Sequence, residues 1–127
     1  MSPILDQASP TLLVVEDEAL IRLATADYFR CHGWRVLEAS NGESAQALFV
    51  SPGYIDVMFS DVQMSSERDG IVLAAWVRAN HPEVAVLLTS GASKLTDVSS
   101  DICAQASTFT KPYACAAVAA RIAALRN

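Results

Sequence analysis

The sequence predicts a doubly wound α/β domain of the form (βα)5, with one five-stranded parallel sheet covered by helices on both faces. Two observations carry that expectation. Short apolar runs alternate with helically spaced segments along the whole chain. Four of those runs also end on a chemically active residue. Residues 12–15 lead into Glu16-Asp17, 57–60 into Asp61, 84–89 into Ser90, and 107–110 into Lys111-Pro112. In a parallel sheet such endings share one edge, and the crevice outside the carboxyl ends of the strands is where open α/β sheets bind ligands.

The elements follow in order. Residues 1–10, with Pro3 and Pro10, read as a flexible lead-in, and residues 11–127 as one domain. Residues 11–15 are short, apolar and partly β-branched, as expected of a strand covered on both faces. Residues 18–32 have helical spacing, with Leu20, Leu23, Ala24 and Tyr28 as the expected apolar face and Gly33 as the stop. A second strand spans 34–39. Asn41 caps a helix over 42–50 whose apolar face is Ala45, Leu48 and Phe49. Residues 55–60 form the third strand, and the loop from Asp61 to Asp69 follows. Residues 70–80 are helical by the pattern Val72, Leu73, Trp76, Val77, and His81-Pro82 ends them. Residues 84–89 form the fourth strand. Residues 93–105 make a poor fourth helix, because Thr96, Asp97, Ser99, Ser100 and Asp101 have low helix propensity. A short fifth strand (107–110) and an Ala-rich fifth helix (113–125) complete the series.

Composition narrows the function. The 127 residues are 52% hydrophobic and 18% charged, which fits one ordinary globular core. A net charge of −5 with no basic cluster argues against a nucleic-acid partner. No stretch approaches the roughly 20 apolar residues needed to span a bilayer. The N-terminus lacks the basic and apolar regions of a signal peptide. Cys31, Cys103 and Cys115 show no metal or disulfide spacing, so a cytoplasmic location without membrane contact is expected. Trp34 and Trp76 read as packing residues, and His32 and His81 lack partners at metal-ligand spacing.

The strand-end residues carry the chemistry. Adjacent Glu16 and Asp17 repel each other unless a cation compensates, although an acidic turn at a helix start explains them equally well. Asp61 alone reads as a strand-end turn residue. Together the three carboxylates make a hard, incomplete oxygen shell, which suits Mg²⁺ that keeps several waters and takes a phosphoryl oxygen. Lys111 is one of only two lysines, and its ammonium can pair with Asp61 or with a phosphoryl group there. Because side chains alternate along a strand, one of Thr89 and Ser90 faces the crevice and the other a flanking layer. These parts describe phosphoryl transfer onto Asp61.

Val14-Val15-Glu16-Asp17, Phe59-Ser60-Asp61-Val62-Gln63-Met64, Asp69-Gly70, Thr89-Ser90-Gly91 and Lys111-Pro112-Tyr113 together resemble the receiver domain of two-component response regulators, across about residues 11–126. The resemblance implies a flavodoxin-like sheet of strand order 2-1-3-4-5. It implies phosphorylation of Asp61 by a histidine kinase or phosphotransfer protein, with Mg²⁺ held by Glu16, Asp17, Asp61 and the backbone carbonyl of Gln63. Lys111 and Ser90 take the family's catalytic Lys and switch Ser/Thr positions, and Thr89 fits the latter less well. The expectation is a stand-alone, chemotaxis-regulator-like receiver that signals through protein contacts. It is not an enzyme beyond its own phosphotransfer and slow dephosphorylation, since neither Gln63 nor Ala92 offers a base to activate water. A homodimer would use the predicted fourth helix, fifth strand and fifth helix.

Three departures from the family pattern stand out. Ser65 follows Met64 where the family usually has proline, and the loop to Gly70 is one residue longer than the commonest form. The family's aromatic switch position, three before the lysine, is Thr108, and Phe109 falls on the opposite strand face unless the register slips. The weak helix over 93–105 reads as a bistable element. Three other functions compete. A never-phosphorylated interaction module is opposed by the intact Glu16, Asp17, Asp61 and Lys111. An aspartyl phosphatase would need a second acid at Gln63. An FMN site would need a glycine-rich loop where Glu16-Asp17-Glu18 repels phosphate.

Overall fold

The computed structural model describes residues 9–50, 54–62, 69–90, 107–110 and 113–126. Five strands form one sheet: β1 (Thr11–Val15), β2 (Arg35–Ala39), β3 (Val57–Asp61), β4 (Ala85–Ser90) and β5 (Ser107–Thr110). All neighbours are parallel, in the order β2-β1-β3-β4-β5. Four helices are described: α1 (Ala19–Cys31), α2 (Gly42–Val50), α3 (Asp69–Asn80) and α4 (Cys115–Arg126). The doubly wound α/β class and the strand order are as expected. The helix expected over 93–105 and the lead-in over residues 1–8 lie outside the described residues, as does Cys103.

Alternation along the strands divides the core into two layers. Leu12, Val14, Val57, Phe59 and Leu87 face α1 and α4, where they meet Ala26, Phe29, Val118 and Ile122. Leu13, Val15, Met58, Val86 and Leu88 face α2 and α3, where they meet Ala45, Leu73, Ala74 and Val77. Trp34 packs edge-on against Phe29, and Trp76 against Phe49, so both tryptophans are packing residues.

Two helix faces differ from expectation. In α1 the buried residues are Thr25, Ala26 and Phe29, while Leu20 is 83% and Leu23 46% exposed. Phe29 sets the rotation: burying the largest ring carries the positions three and four residues before it inward and turns Leu20 and Leu23 outward. In α3, Ile71, Leu73, Ala74 and Val77 are buried and Val72 is exposed, which is again a rotation about the helix axis. The α2 face matches, with Ala45 buried and Leu48 and Phe49 packed against the core.

The caps follow local chemistry. The Asn41 side chain accepts from the Ser44 N–H at 2.7 Å and starts α2. After α1, Gly33 adopts φ 91°, the left-handed conformation that glycine takes without strain. Burying Thr25 in α1 demands a partner for its hydroxyl, and Tyr113 Oη supplies it at 2.7 Å. Burial pushes the Cys115 thiol pKa up, against the opposing effect of its hydrogen bond with Thr25.

The Thr25–Tyr113 bond ties α1 to the segment entering α4. Tyr113→Phe is expected to lower stability by about 1 kcal/mol in urea unfolding. The same change in a Thr25→Val background should cost clearly less, and equal costs in both backgrounds would show that the bond contributes nothing.

Candidate functional site

The register decides which side chains meet at the carboxyl edge of the sheet. Val15 of β1 pairs with Ser60 of β3. The next residues on these strands, Glu16 and Asp61, therefore leave the sheet at one level. The ladder runs slightly past β1, since Glu16 N–H donates to the Ala39 carbonyl at 3.0 Å. On the other side of β3, Asp61 pairs with Thr89 of β4, and Val62 N–H donates to the Thr89 carbonyl at 2.8 Å. Ser90 pairs with Thr110, the last residue of β5. Asp61 thus ends the central strand, with β1 and β4 beside it.

Burial separates the acids. Glu16 is 3% and Asp61 5% exposed, while Asp17 and Glu18 are exposed. Acidic residues are seldom this buried unless hydrogen bonds or cations compensate them. Glu16 Oε2 accepts from the Glu18 N–H at 3.1 Å, so its carboxylate also stabilises the start of α1. The turn is braced from below. Arg22 Nη1 donates to the Glu16 carbonyl at 2.8 Å while its Nε reaches Glu38 at 3.3 Å, and Arg30 holds the other Glu38 oxygen at 3.0 Å.

Among the described residues, the carboxylates of Glu16, Asp17 and Glu18 lie within 4.8 Å of one another. That set takes in Glu18, which sequence reasoning left out although the Glu-Asp-Glu run was visible, and it does not take in Asp61. Its donors are all hard oxygens, the chemistry that suits Mg²⁺. Gln63, Ser65, Ala92 and Lys111 lie outside the described residues, as does the Ser90 side chain.

Leu88 pairs with Thr108 and Thr89 with Phe109. Phe109 packs in the α1/α4 layer, edge-on to Phe59 at 6.1 Å, and Tyr113 meets the same Phe59 ring at 5.0 Å.

Gly70 is the least replaceable residue beside Asp61. Its N–H donates to the Val62 carbonyl at 2.9 Å, and an added Cβ would collide with the Asp61 carbonyl oxygen while lying 2.6 Å from that of Val62. The start of α3 therefore rests directly on the backbone that carries Asp61. Gly70→Ala is expected to cost about 1–3 kcal/mol in urea unfolding through overpacking against backbone that cannot give way. Wild-type stability in that variant would contradict the packing described.

The geometry agrees with what the chain is similar to. Residues 12–123 match the model of the response regulator receiver domain. The sensor kinase CckA of Brucella abortus is 34% identical over 84 residues, 65% of this chain but only 9% of that protein. The crystal structure of the receiver domain from the hybrid histidine kinase CckA is 30% identical, with a TM-score of 0.72 over 88% of this chain and 94% of that one. The response regulator TrrA of Thermotoga maritima, solved in complex with Mg²⁺ and BeF, is 24% identical, with a TM-score of 0.79 over 91% of this chain and 98% of that one. With its parallel sheet in the order β2-β1-β3-β4-β5 and acids gathered at the carboxyl edge, the chain belongs to the response regulator receiver domain family of two-component signalling.

Proposed function

We propose that this receiver domain accepts a phosphoryl group on Asp61 in a Mg²⁺-dependent reaction, from a histidine kinase or a phosphotransfer protein. One observation carries the reading: Asp61 is a buried carboxylate at the carboxyl end of the central strand, level with Glu16 on one side and paired with Thr89 on the other. The family supplies the donor class, and the TrrA complex with Mg²⁺ and BeF gives the fold a precedent for both ligands.

In the proposed reaction an Asp61 carboxylate oxygen attacks phosphorus. The bond from phosphorus to the donor, a histidine nitrogen or the acyl oxygen of acetyl phosphate, breaks, and the leaving group keeps the electron pair. Glu16 and Asp17 would hold Mg²⁺ together with Asp61 and the Gln63 carbonyl, and the bound ion would offset charge on the phosphoryl oxygens. Lys111, next in sequence after the last residue of β5, would pair with those oxygens. The chain's own chemistry is limited to this transfer and a slow hydrolysis. No described helix is long and apolar enough to cross a membrane, and the phosphorylated state would signal through contacts with another protein. The chain spans 9% of the CckA sensor kinase and 21% of the Thermotoga maritima cyclic di-GMP phosphodiesterase that it matches. In the proposed reading it acts as a phosphoacceptor unit, whatever output receives the signal.

Incubation with acetyl phosphate and Mg²⁺ should add the mass of one phosphoryl group to the wild type and none to Asp61→Asn. Chelating Mg²⁺ should abolish the gain. A wild type that stays unmodified, or an Asp61→Asn protein that gains the same mass, would sink the proposal.

A further inference from the structure

We propose that Arg22 is a positioning residue for the metal ion. By fastening the Glu16 carbonyl to β2, it holds the peptide joining Glu16 to Asp17 so that the Asp17 carboxylate meets the cation. The role rests on the reading that Glu16, Asp17 and Asp61 hold Mg²⁺.

The turn that carries these acids is tied to β2 at two points. The Glu16 N–H donates to the Ala39 carbonyl at 3.0 Å. The Glu16 carbonyl accepts from Arg22 Nη1 at 2.8 Å, and Arg22 Nε reaches Glu38 Oε1 of β2 at 3.3 Å. Glu38 is held in turn by its second oxygen. Arg30 Nη2 lies 3.0 Å from that oxygen and also donates to the Val36 carbonyl at 3.1 Å. The side chains of Arg22 and Glu38 are 20% and 22% exposed, so water competes little with these charge-assisted bonds.

Peptide planarity carries the restraint to the ligand. The Glu16 carbonyl and the Asp17 nitrogen share one rigid plane, so a bond that fixes the oxygen also fixes the direction in which the chain enters Asp17. Asp17 is exposed, so core packing does not orient it. Its place within 4.8 Å of the Glu16 and Glu18 carboxylates therefore depends on the backbone beneath it. Without the strut, a metal ion would have to order the turn as it binds, and its affinity would fall.

Charge alone predicts the opposite effect. A guanidinium beside a cation site repels the ion, so deleting it would tighten binding. Positioning predicts weaker binding from the same deletion, and the sign separates the two.

Mn²⁺ is the probe, because it takes the same hard oxygen ligands as Mg²⁺ and its free ion is counted by electron paramagnetic resonance. Titrations would compare the wild type with Arg22→Met, Arg22→Lys, Asp17→Asn and Asp61→Asn, with thermal melts in metal-free buffer to establish which variants are folded. Methionine keeps a long apolar stem and removes both bonds, whereas lysine keeps the charge without the fork. Arg22→Met should bind Mn²⁺ about tenfold more weakly, the scale of loss when a group that orients a metal ligand is removed. Arg22→Lys should fall between it and the wild type. Binding as tight as the wild type, or tighter, in Arg22→Met would overturn the inference. Should that variant not fold, the same result in Arg22→Lys would do so. A wild type that takes up no Mn²⁺, or one matched by both Asp17→Asn and Asp61→Asn, would instead overturn the metal-site reading, and this inference with it.

Discussion

The parallel register of β1, β3 and β4 is the constraint on which the rest depends. Val15 opposite Ser60 brings the chain out of β1 and β3 at one level, and Asp61 opposite Thr89 extends that level to β4. A one-residue slip would turn each side chain to the other face and separate Glu16 from Asp61. Two buried carboxylates at this edge are costly, so the surrounding structure holds them firmly. Arg22 fastens the Glu16 carbonyl, the Glu18 N–H holds the Glu16 carboxylate, and Gly70 lets α3 seat against the Asp61 backbone.

The same strand that presents Asp61 also carries Phe59 into the α1/α4 layer. Phe59 meets Phe109 and Tyr113, and the Tyr113 hydroxyl reaches Thr25 of α1. A displacement of β3 would be felt first by these rings and then by α1 and α4. The face opposite the expected switch position thus has its own connected set of side chains, with Phe109 as a packed member of it. Aromatic edge contacts and one buried hydrogen bond join the strand to both helices, and close packing transmits small shifts.

Strands and site acids were legible in the sequence because each is written locally. An apolar run that ends on Asp61 specifies both the strand and the residue at its end. Helix faces were less legible. The large aliphatics Leu20 and Leu23 looked like the core of α1, but the ring of Phe29 sets its rotation, and only the opposing layer reveals that. Thr25 has low helix propensity and gave no sign of being buried, because its partner Tyr113 lies 88 residues away. Glu18 was visible beside Asp17, yet its nearness to the Glu16 carboxylate comes from the turn into α1.

The central claim is that one particular carboxylate, and not the acidic cluster around Glu16, receives the phosphoryl group. Borohydride reduces an aspartyl acyl phosphate to homoserine, so reduction after phosphorylation followed by peptide mass spectrometry identifies the modified residue. The account predicts homoserine at position 61 and unaltered Glu16, Asp17 and Glu18. Reduction at Asp17, or at any acid other than Asp61, would contradict it.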